Sequence, residues 1–119
     1  MSDITRPIRR IAIIGTGVIG ASWAALFLAK GLDVVATDVA PDAEKSLRHF
    51  VDAAWPALER LGLAPGGSRS RLSFTADLPT AIRTADFVQE NGPERIDFKN
   101  KLYRQLDESL SADVIIASS

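Results

Sequence analysis

The chain has 119 residues, 46% hydrophobic and 24% charged, which is enough apolar material for one domain with a buried core. Its formal net charge of −1 argues against nucleic acid or an acidic membrane surface as the main partner. Because the sequence has no cysteine, disulfides, thiolate nucleophiles and cysteine-based metal sites are excluded. No apolar run approaches the roughly 20 residues of a membrane span, and the N-terminus lacks a signal-peptide core, so we expect a cytoplasmic protein.

The hydrophobic pattern predicts strands that alternate with helices. In chain order we predict a strand at 8–14, a helix at 21–30, a strand at 33–38, a helix at 41–60, a strand at 71–75, a short helix at 78–84, a strand at 86–90, a helix at 93–107 and a strand at 113–117. In the first helix, large side chains recur at helical spacing at Ile19, Trp23, Leu26, Phe27 and Lys30. Gly31 ends this helix. In the second helix, Pro56 cannot donate the usual hydrogen bond, which predicts a kink or a break after Trp55.

Alternating strands and helices are typical of βαβ units, which build a parallel sheet with right-handed crossovers. We therefore predict an α/β fold, a doubly wound Rossmann sheet with strand order 3-2-1-4-5. Its ligand would lie at the switch point between the first and fourth strands. We expect residues 1–119 to form a single domain that ends after the fifth strand.

A glycine-rich turn joins the predicted first strand to the first helix. It consists of Gly15, Thr16, Gly17, Val18, Ile19 and Gly20. In a dinucleotide site, Gly15 would permit the tight turn, Gly17 would let a pyrophosphate approach the bare backbone, and Gly20 would let the helix pack close to the strand. The helix N-terminus would then direct its amides at the phosphates. Glycines in an ordinary turn are the alternative, but the preceding strand and the following helix favour dinucleotide binding.

Asp38 ends the predicted second strand, 18 residues after Gly20 and near the spacing of about 20 that a ribose-binding acid has. A carboxylate there would accept hydrogen bonds from the ribose hydroxyls of NAD and repel the 2′-phosphate of NADP. Residues 39–41 include no arginine that would favour this phosphate. A solvated loop acid or a helix N-cap is the alternative for Asp38. FAD-binding domains share the glycine pattern, so a flavin domain stays open as a further alternative.

The chain resembles the NAD-binding domain of the 3-hydroxyacyl-CoA dehydrogenase family. The resemblance rests on Gly15-Thr16-Gly17-Val18-Ile19-Gly20-Ala21-Ser22-Trp23-Ala24, Asp86-Phe87-Val88-Gln89-Glu90, Pro93-Glu94-Arg95, Lys99 and Ala117-Ser118-Ser119. It implies NAD as the cofactor, with Glu94 and Lys99 beside its nicotinamide half. A first-turn acid after Pro93 and a solvated helical lysine are the alternative interpretations.

The resemblance also implies a longer parent protein that transfers hydride from a 3-hydroxy acid, carnitine-like or a 3-hydroxyacyl-CoA, to NAD. In the family, a histidine base held by a glutamate and aided by a serine follows in a later part of the chain. The parent would be a homo-oligomer through a helical domain. We therefore expect this chain to bind NAD without catalytic or metal-binding residues of its own. About 33 residues separate Asp38 from Leu72, which leaves little room for a CoA-binding hairpin and favours a small hydroxy acid.

The only histidine, His49, is followed by Phe50, as the family's catalytic histidine is followed by a phenylalanine. We reject this match because His49 lies in the helix after the second strand, far along the sequence from the base. The alternative to an enzyme domain is a non-catalytic module that binds or senses a dinucleotide.

Overall fold

The computed structural model describes residues 8–91 and 115–118. In chain order, their strands and helices are β1 Arg10–Ile14, α1 Val18–Ala29, β2 Asp33–Thr37, α2 Ala43–Leu61, β3 Leu72–Phe74, α3 Leu78–Ile82, β4 Phe87–Glu90 and β5 Ile115–Ser118. A single 3-10 turn, Arg69–Arg71, precedes β3. The helix predicted at 93–107 lies outside the described residues.

The described strands form one sheet in the order β3-β2-β1-β4-β5, and every neighbouring pair is parallel. This confirms the predicted strand order. Alternate residues of β1 face opposite sides of the sheet. Ile11 and Ile13 belong to the core under α1 and α2, whereas Ala12 and Ile14 pack on the side of α3. Helices therefore cover both faces, as in a doubly wound Rossmann fold.

α1 packs on the sheet through its small side chains. Its buried residues are Gly20, Ala21, Ala24, Ala25, Leu28 and Ala29. The large residues of the helical pattern lie on the other side: Ile19 is exposed, and Trp23 and Leu26 are 36% and 38% exposed. Small residues on the buried face let the helix axis approach the strands closely. Hydrophobic spacing predicted the helix correctly, but Ile19, Trp23 and Leu26 of this pattern are not on the face that packs on the sheet.

α2 is continuous through Pro56, so of the predicted kink or break after Trp55 the break is wrong. Leu47, Val51 and Trp55 recur every four residues and are buried in the core with α1, so packing stabilises the helix up to the residue before the proline. Pro56 is on the exposed side, where water can satisfy the backbone carbonyl that the proline leaves unpaired.

Gly31 ends α1 as predicted. Its φ of +83° is in the left-handed region, and a β-carbon there would lie 2.6 Å from the carbonyl oxygen of Pro65. In the part of the chain that the structure describes, the helices are too short or too polar to cross a membrane.

Leu28→Ala tests the packing of α1. Leu28 is fully buried in the core between α1, α2 and the sheet, so its truncation should lower the free energy of unfolding by about 2–5 kcal/mol. Leu26→Ala, on the partly exposed side of the same helix, should cost less than about 1 kcal/mol. Denaturant unfolding of both variants measures the difference. Equal losses would contradict this orientation of α1.

Candidate dinucleotide-binding site

The carboxyl ends of β1, β2 and β4 meet at one edge of the sheet. The glycine turn follows β1, Asp38 follows β2 directly, and Asn91 follows β4. Parallel pairing aligns Ile14 with Thr37 and with Glu90, so the segments after these strands emerge side by side. This edge includes the switch point between β1 and β4, where ligands bind in open α/β sheets.

The three glycines of the turn differ in backbone conformation and in what an added β-carbon would meet. Gly15 has a φ of +90°, a conformation that L side chains rarely adopt, and its N–H donates to the Thr37 carbonyl at 2.9 Å. A β-carbon on Gly20 would lie 1.9 Å from the Gly15 carbonyl oxygen, so α1 can cross β1 only with glycine there. A β-carbon on Gly17 would meet no atom within 4 Å among the described residues. The backbone at Gly17 therefore borders open space.

The N-terminus of α1 is accessible. Gly17 is the N-cap residue, and within residues 8–91 no side chain caps the helix and no acidic residue occupies its first turn. Val18 is 74% exposed and Ile19 is also exposed, so the first turn is not covered by the rest of residues 8–91. Helix amides that have no capping side chain carry a partial positive charge, and an anion can approach them here.

Asp38 is held by the glycine turn. Thr16 donates to Asp38 Oδ2 through its backbone N–H at 2.6 Å and its hydroxyl at 3.0 Å. The Ala40 N–H donates to Asp38 Oδ1 at 2.9 Å. Burial raises the pKa of Asp38, but hydrogen bonds from Thr16, Ala40 and Val39 together outweigh it and hold the pKa below its ordinary value of 3.8. Asp38 is therefore ionised at neutral pH.

A cleft of about 500 Å³ opens beside Asp38, between the end of β2, the start of α2 and the end of β3. Its lining residues are Asp38, Val39, Ala40, Asp42, Ala43, Glu44, Lys45, Arg48, Phe74 and Ala76. Arg48 is paired with Glu44 at 3.0 Å on the surface of α2. Sequence reasoning considered residues 39–41 as neighbours of Asp38 and missed the two basic side chains of α2, since nothing in their spacing indicates that α2 borders the same cleft.

Asn91 holds the glycine turn from the side of β4. Its backbone N–H donates to the Ile14 carbonyl at 2.8 Å. Its side-chain Nδ2 lies 3.4 Å from the Ile14 oxygen and 3.5 Å from the Gly15 oxygen, and its Oδ1 accepts from Gln89 Nε2 at 3.2 Å. Sequence reasoning did not select Asn91, because a single asparagine after a strand carries no signal until the register is known.

Of the predicted cofactor-binding residues, the structure brings together the glycine turn and Asp38. Glu94 and Lys99 lie outside the described residues, so their roles stay predictions. His49 is exposed on α2 and does not line the cleft. Among the described residues, no three histidine, aspartate or glutamate side chains are grouped so that they could hold a metal ion.

The fold and this edge of the sheet define a Rossmann domain of the dinucleotide-binding type. Residues 10–119 match a family model, that of the NAD-binding domain of 3-hydroxyacyl-CoA dehydrogenase. The chain belongs to this family, and NAD is its cofactor.

Curated relatives that match the chain at about 50% identity include L-carnitine dehydrogenases. The chain is 54% identical over 112 residues to an L-carnitine dehydrogenase of Streptomyces griseus, an alignment that covers 94% of this chain and 33% of the relative. It is 49% identical over 119 residues to an L-carnitine dehydrogenase of Pseudomonas aeruginosa, covering 100% of this chain and 37% of the relative. The chain thus spans about a third of the length of these relatives.

Solved structures share the fold. The chain superposes with a TM-score of 0.83 on FHMPC 5-dehydrogenase, described as an NAD+-dependent dismutase, at 42% identity over 94% of this chain and 37% of that one. With 3-hydroxybutyryl-CoA dehydrogenase from Escherichia coli the TM-score is 0.81 at 25% identity, over 95% of this chain and 25% of that one.

Alanine substitutions at Gly20 and at Gly17 should separate an effect on folding from an effect on cofactor binding. Gly20→Ala forces α1 away from the Gly15 carbonyl and should lower the free energy of unfolding by about 1–3 kcal/mol or more. Gly17→Ala meets open space and should change the free energy of unfolding by less than about 1 kcal/mol, but its methyl group would obstruct the approach of a pyrophosphate.

Denaturant unfolding and NADH titration of both variants measure these effects. The assignment of Gly17 fails if Gly17→Ala binds NADH as tightly as the unchanged chain.

Proposed function

We propose that the glycine turn seats the pyrophosphate of NAD and that Asp38 binds the hydroxyls of the adenosine ribose. Gly15, Thr16, Gly17, Val18, Ile19 and Gly20 would form the phosphate side of the site. The observation that carries the proposal is the pair of hydrogen bonds from Thr16 to Asp38, because they join the accessible helix N-terminus to an ionised acid beside the cleft. The open space at Gly17 supports the close approach of a phosphate.

A preference for NAD over NADP follows from the charge of Asp38. The pKa of this carboxyl group lies below its ordinary value, so it carries a negative charge that repels a 2′-phosphate. Lys45 and Arg48 also line the cleft, but the charge of Arg48 is already paired with Glu44. We therefore infer that Asp38 outweighs these two cations in the choice of cofactor.

We further propose that the longer protein is an NAD-dependent dehydrogenase of a small 3-hydroxy acid, of the carnitine type. The relatives named L-carnitine dehydrogenase, at 47–54% identity, support this substrate class. The segments Ala54-Trp55-Pro56-Ala57-Leu58 and Gly62-Leu63-Ala64-Pro65-Gly66 also resemble that branch. Between β2 and β3, α2 is the one long helix, with a single 3-10 turn after it, which argues against a CoA-binding hairpin.

In that reaction, bound NAD would supply the acceptor for the hydride from the carbon that bears the hydroxyl group, and a histidine base would take the hydroxyl proton, so that a 3-keto acid and NADH would form. By resemblance to the family, the base and its glutamate belong to the part of the relatives beyond this chain. The contribution of residues 8–91 is to bind and orient the adenosine and pyrophosphate. Glu94 and Lys99 remain predictions for the nicotinamide half.

The oligomeric state and the cellular location of the longer protein are two further proposals. We propose a homo-oligomer and a cytoplasmic location for the longer protein, the latter from composition alone. α1 has no charged residue along its length, and Trp23 and Leu26 are partly exposed on its outer side. A helix that is apolar on all sides is typically covered by another element or chain.

Asp38→Ala tests the ribose contact. Because the variant loses charged hydrogen-bond acceptors, its affinity for NADH should fall about 10–100-fold. Its affinity for NADPH should fall less or rise, because the repulsion of the 2′-phosphate is gone. Isothermal titration with both cofactors measures the two dissociation constants. Asp33→Ala, at the opposite end of β2, is the control and should leave both unchanged. Unchanged binding in Asp38→Ala would remove Asp38 from the site.

We expect the 119-residue chain to self-associate through the outer side of α1, and Leu26→Lys tests this. A charge on the outer side of α1 should shift the chain towards monomer, since a lysine ammonium is costly to bury at an apolar contact. Sedimentation velocity over a range of concentrations measures the assembly. Leu61→Lys, on the 84% exposed end of α2, is the matched control and should not change it. A wild-type chain that is monomeric at every concentration would contradict self-association.

A further inference from the structure

We propose that Thr16 sets the cofactor preference of this site by holding the Asp38 carboxylate with its side-chain hydroxyl. Thr16 then acts as a positioning residue that works through Asp38. This inference rests on the proposed function, since it requires Asp38 to bind the ribose. The residue type at position 16 is free in the glycine pattern, which constrains only the three glycines.

The two hydrogen bonds from Thr16 fix the orientation of the carboxylate. Both go to Asp38 Oδ2, whereas Oδ1 accepts from Ala40. One bond to the backbone N–H would leave the carboxyl group free to turn about that contact. A second donor on the same oxygen, together with Ala40 on the other, opposes this rotation. The two Thr16 donors occupy Oδ2, so a ribose hydroxyl would bond at Oδ1, beside the Ala40 N–H.

The environment of Thr16 keeps the hydroxyl in place. Thr16 is 7% exposed, between the end of β1 and the end of β2, and a β-branched side chain has few χ1 rotamers. The hydrogen bond from the Gly15 N–H to the Thr37 carbonyl, 2.9 Å long, joins the two residues that directly precede Thr16 and Asp38. It therefore fixes both backbone segments at the Thr16–Asp38 contact. The hydroxyl group is thus presented to Asp38 at little entropic cost.

The hydroxyl group also acts on the charge of Asp38. Burial raises the pKa of this carboxyl group, and the side-chain hydrogen bond from Thr16 is among the contacts that lower it below the ordinary value. Hydrogen bonds to the ionised form favour the charge that discriminates against a 2′-phosphate. Removing the hydroxyl group takes away one of the two donors that hold Oδ2. It should therefore loosen the ribose acceptor and weaken selection between the cofactors, while the pyrophosphate amides remain.

The experiment compares Thr16→Val with Thr16→Ser. Valine removes the hydroxyl group and keeps the branched shape, whereas serine keeps the hydroxyl group. The dissociation constants of NADH and NADPH are measured by isothermal titration for both variants, the wild-type chain and Asp38→Ala. Thr16→Val should weaken NADH binding about tenfold and NADPH binding less, so the ratio of the two affinities falls. Thr16→Ser should keep the wild-type ratio.

The cofactor ratio separates positioning from a purely structural role, because general damage to the turn would weaken both cofactors equally. In an Asp38→Ala background, Thr16→Val should not change the ratio further. If Thr16→Val does not fold, Thr16→Ala removes the same hydroxyl group with a smaller side chain and gives the same expected ratio.

The results separate a failure of the role of Thr16 from a failure of the proposed function. If Asp38→Ala loses the preference for NADH and Thr16→Val keeps it, the role of Thr16 is wrong and the ribose contact stands. If the wild-type chain does not bind NADH, or Asp38→Ala binds both cofactors unchanged, the proposed site itself is wrong.

Discussion

The contact between α1 and β1 at Gly20 is the constraint on which the site depends. The helix crosses the strand so closely that a β-carbon at Gly20 would overlap the carbonyl oxygen of Gly15. The buried face of α1 continues this close packing with alanines. Because of this approach, the first amides of the helix lie at the carboxyl edge of the sheet, where the chains leaving β2 and β4 also emerge.

The register of the parallel strands then determines which residues meet at that edge. Ile14 pairs with Thr37, and Gly15 donates to the Thr37 carbonyl, so the next residues of the two segments are brought together. Thr16 thereby reaches Asp38, and Asn91 reaches the carbonyls of Ile14 and Gly15 from the other side. The glycine turn is thus held from both neighbouring strands. This supports a phosphate site that is formed before the cofactor arrives, which reduces the ordering cost of binding.

The same geometry indicates which step of the proposed reaction this part of the enzyme would serve. The edge of the sheet supplies backbone amides and one acid, groups suited to bind and orient a dinucleotide. The relatives are about three times as long as this chain, and the reacting hydroxy acid would need groups from their remaining part. The outer side of α1, with Trp23 stacked on Phe27 and Leu26 nearby, offers an apolar surface to a neighbouring element or chain.

The sequence by itself determined the alternation of strands and helices, the strand order, the glycine turn and Asp38 as its acidic partner. These follow from local signals: apolar runs, glycines at fixed spacing and an acid at a strand end. Only the tertiary structure decided which side of α1 is buried and that α2 continues through Pro56. It also decided that Thr16 bonds to Asp38 and that Asn91, Lys45 and Arg48 border the site. Each depends on contacts between segments distant in the chain, and local spacing carries no information on which side chains those contacts bring together.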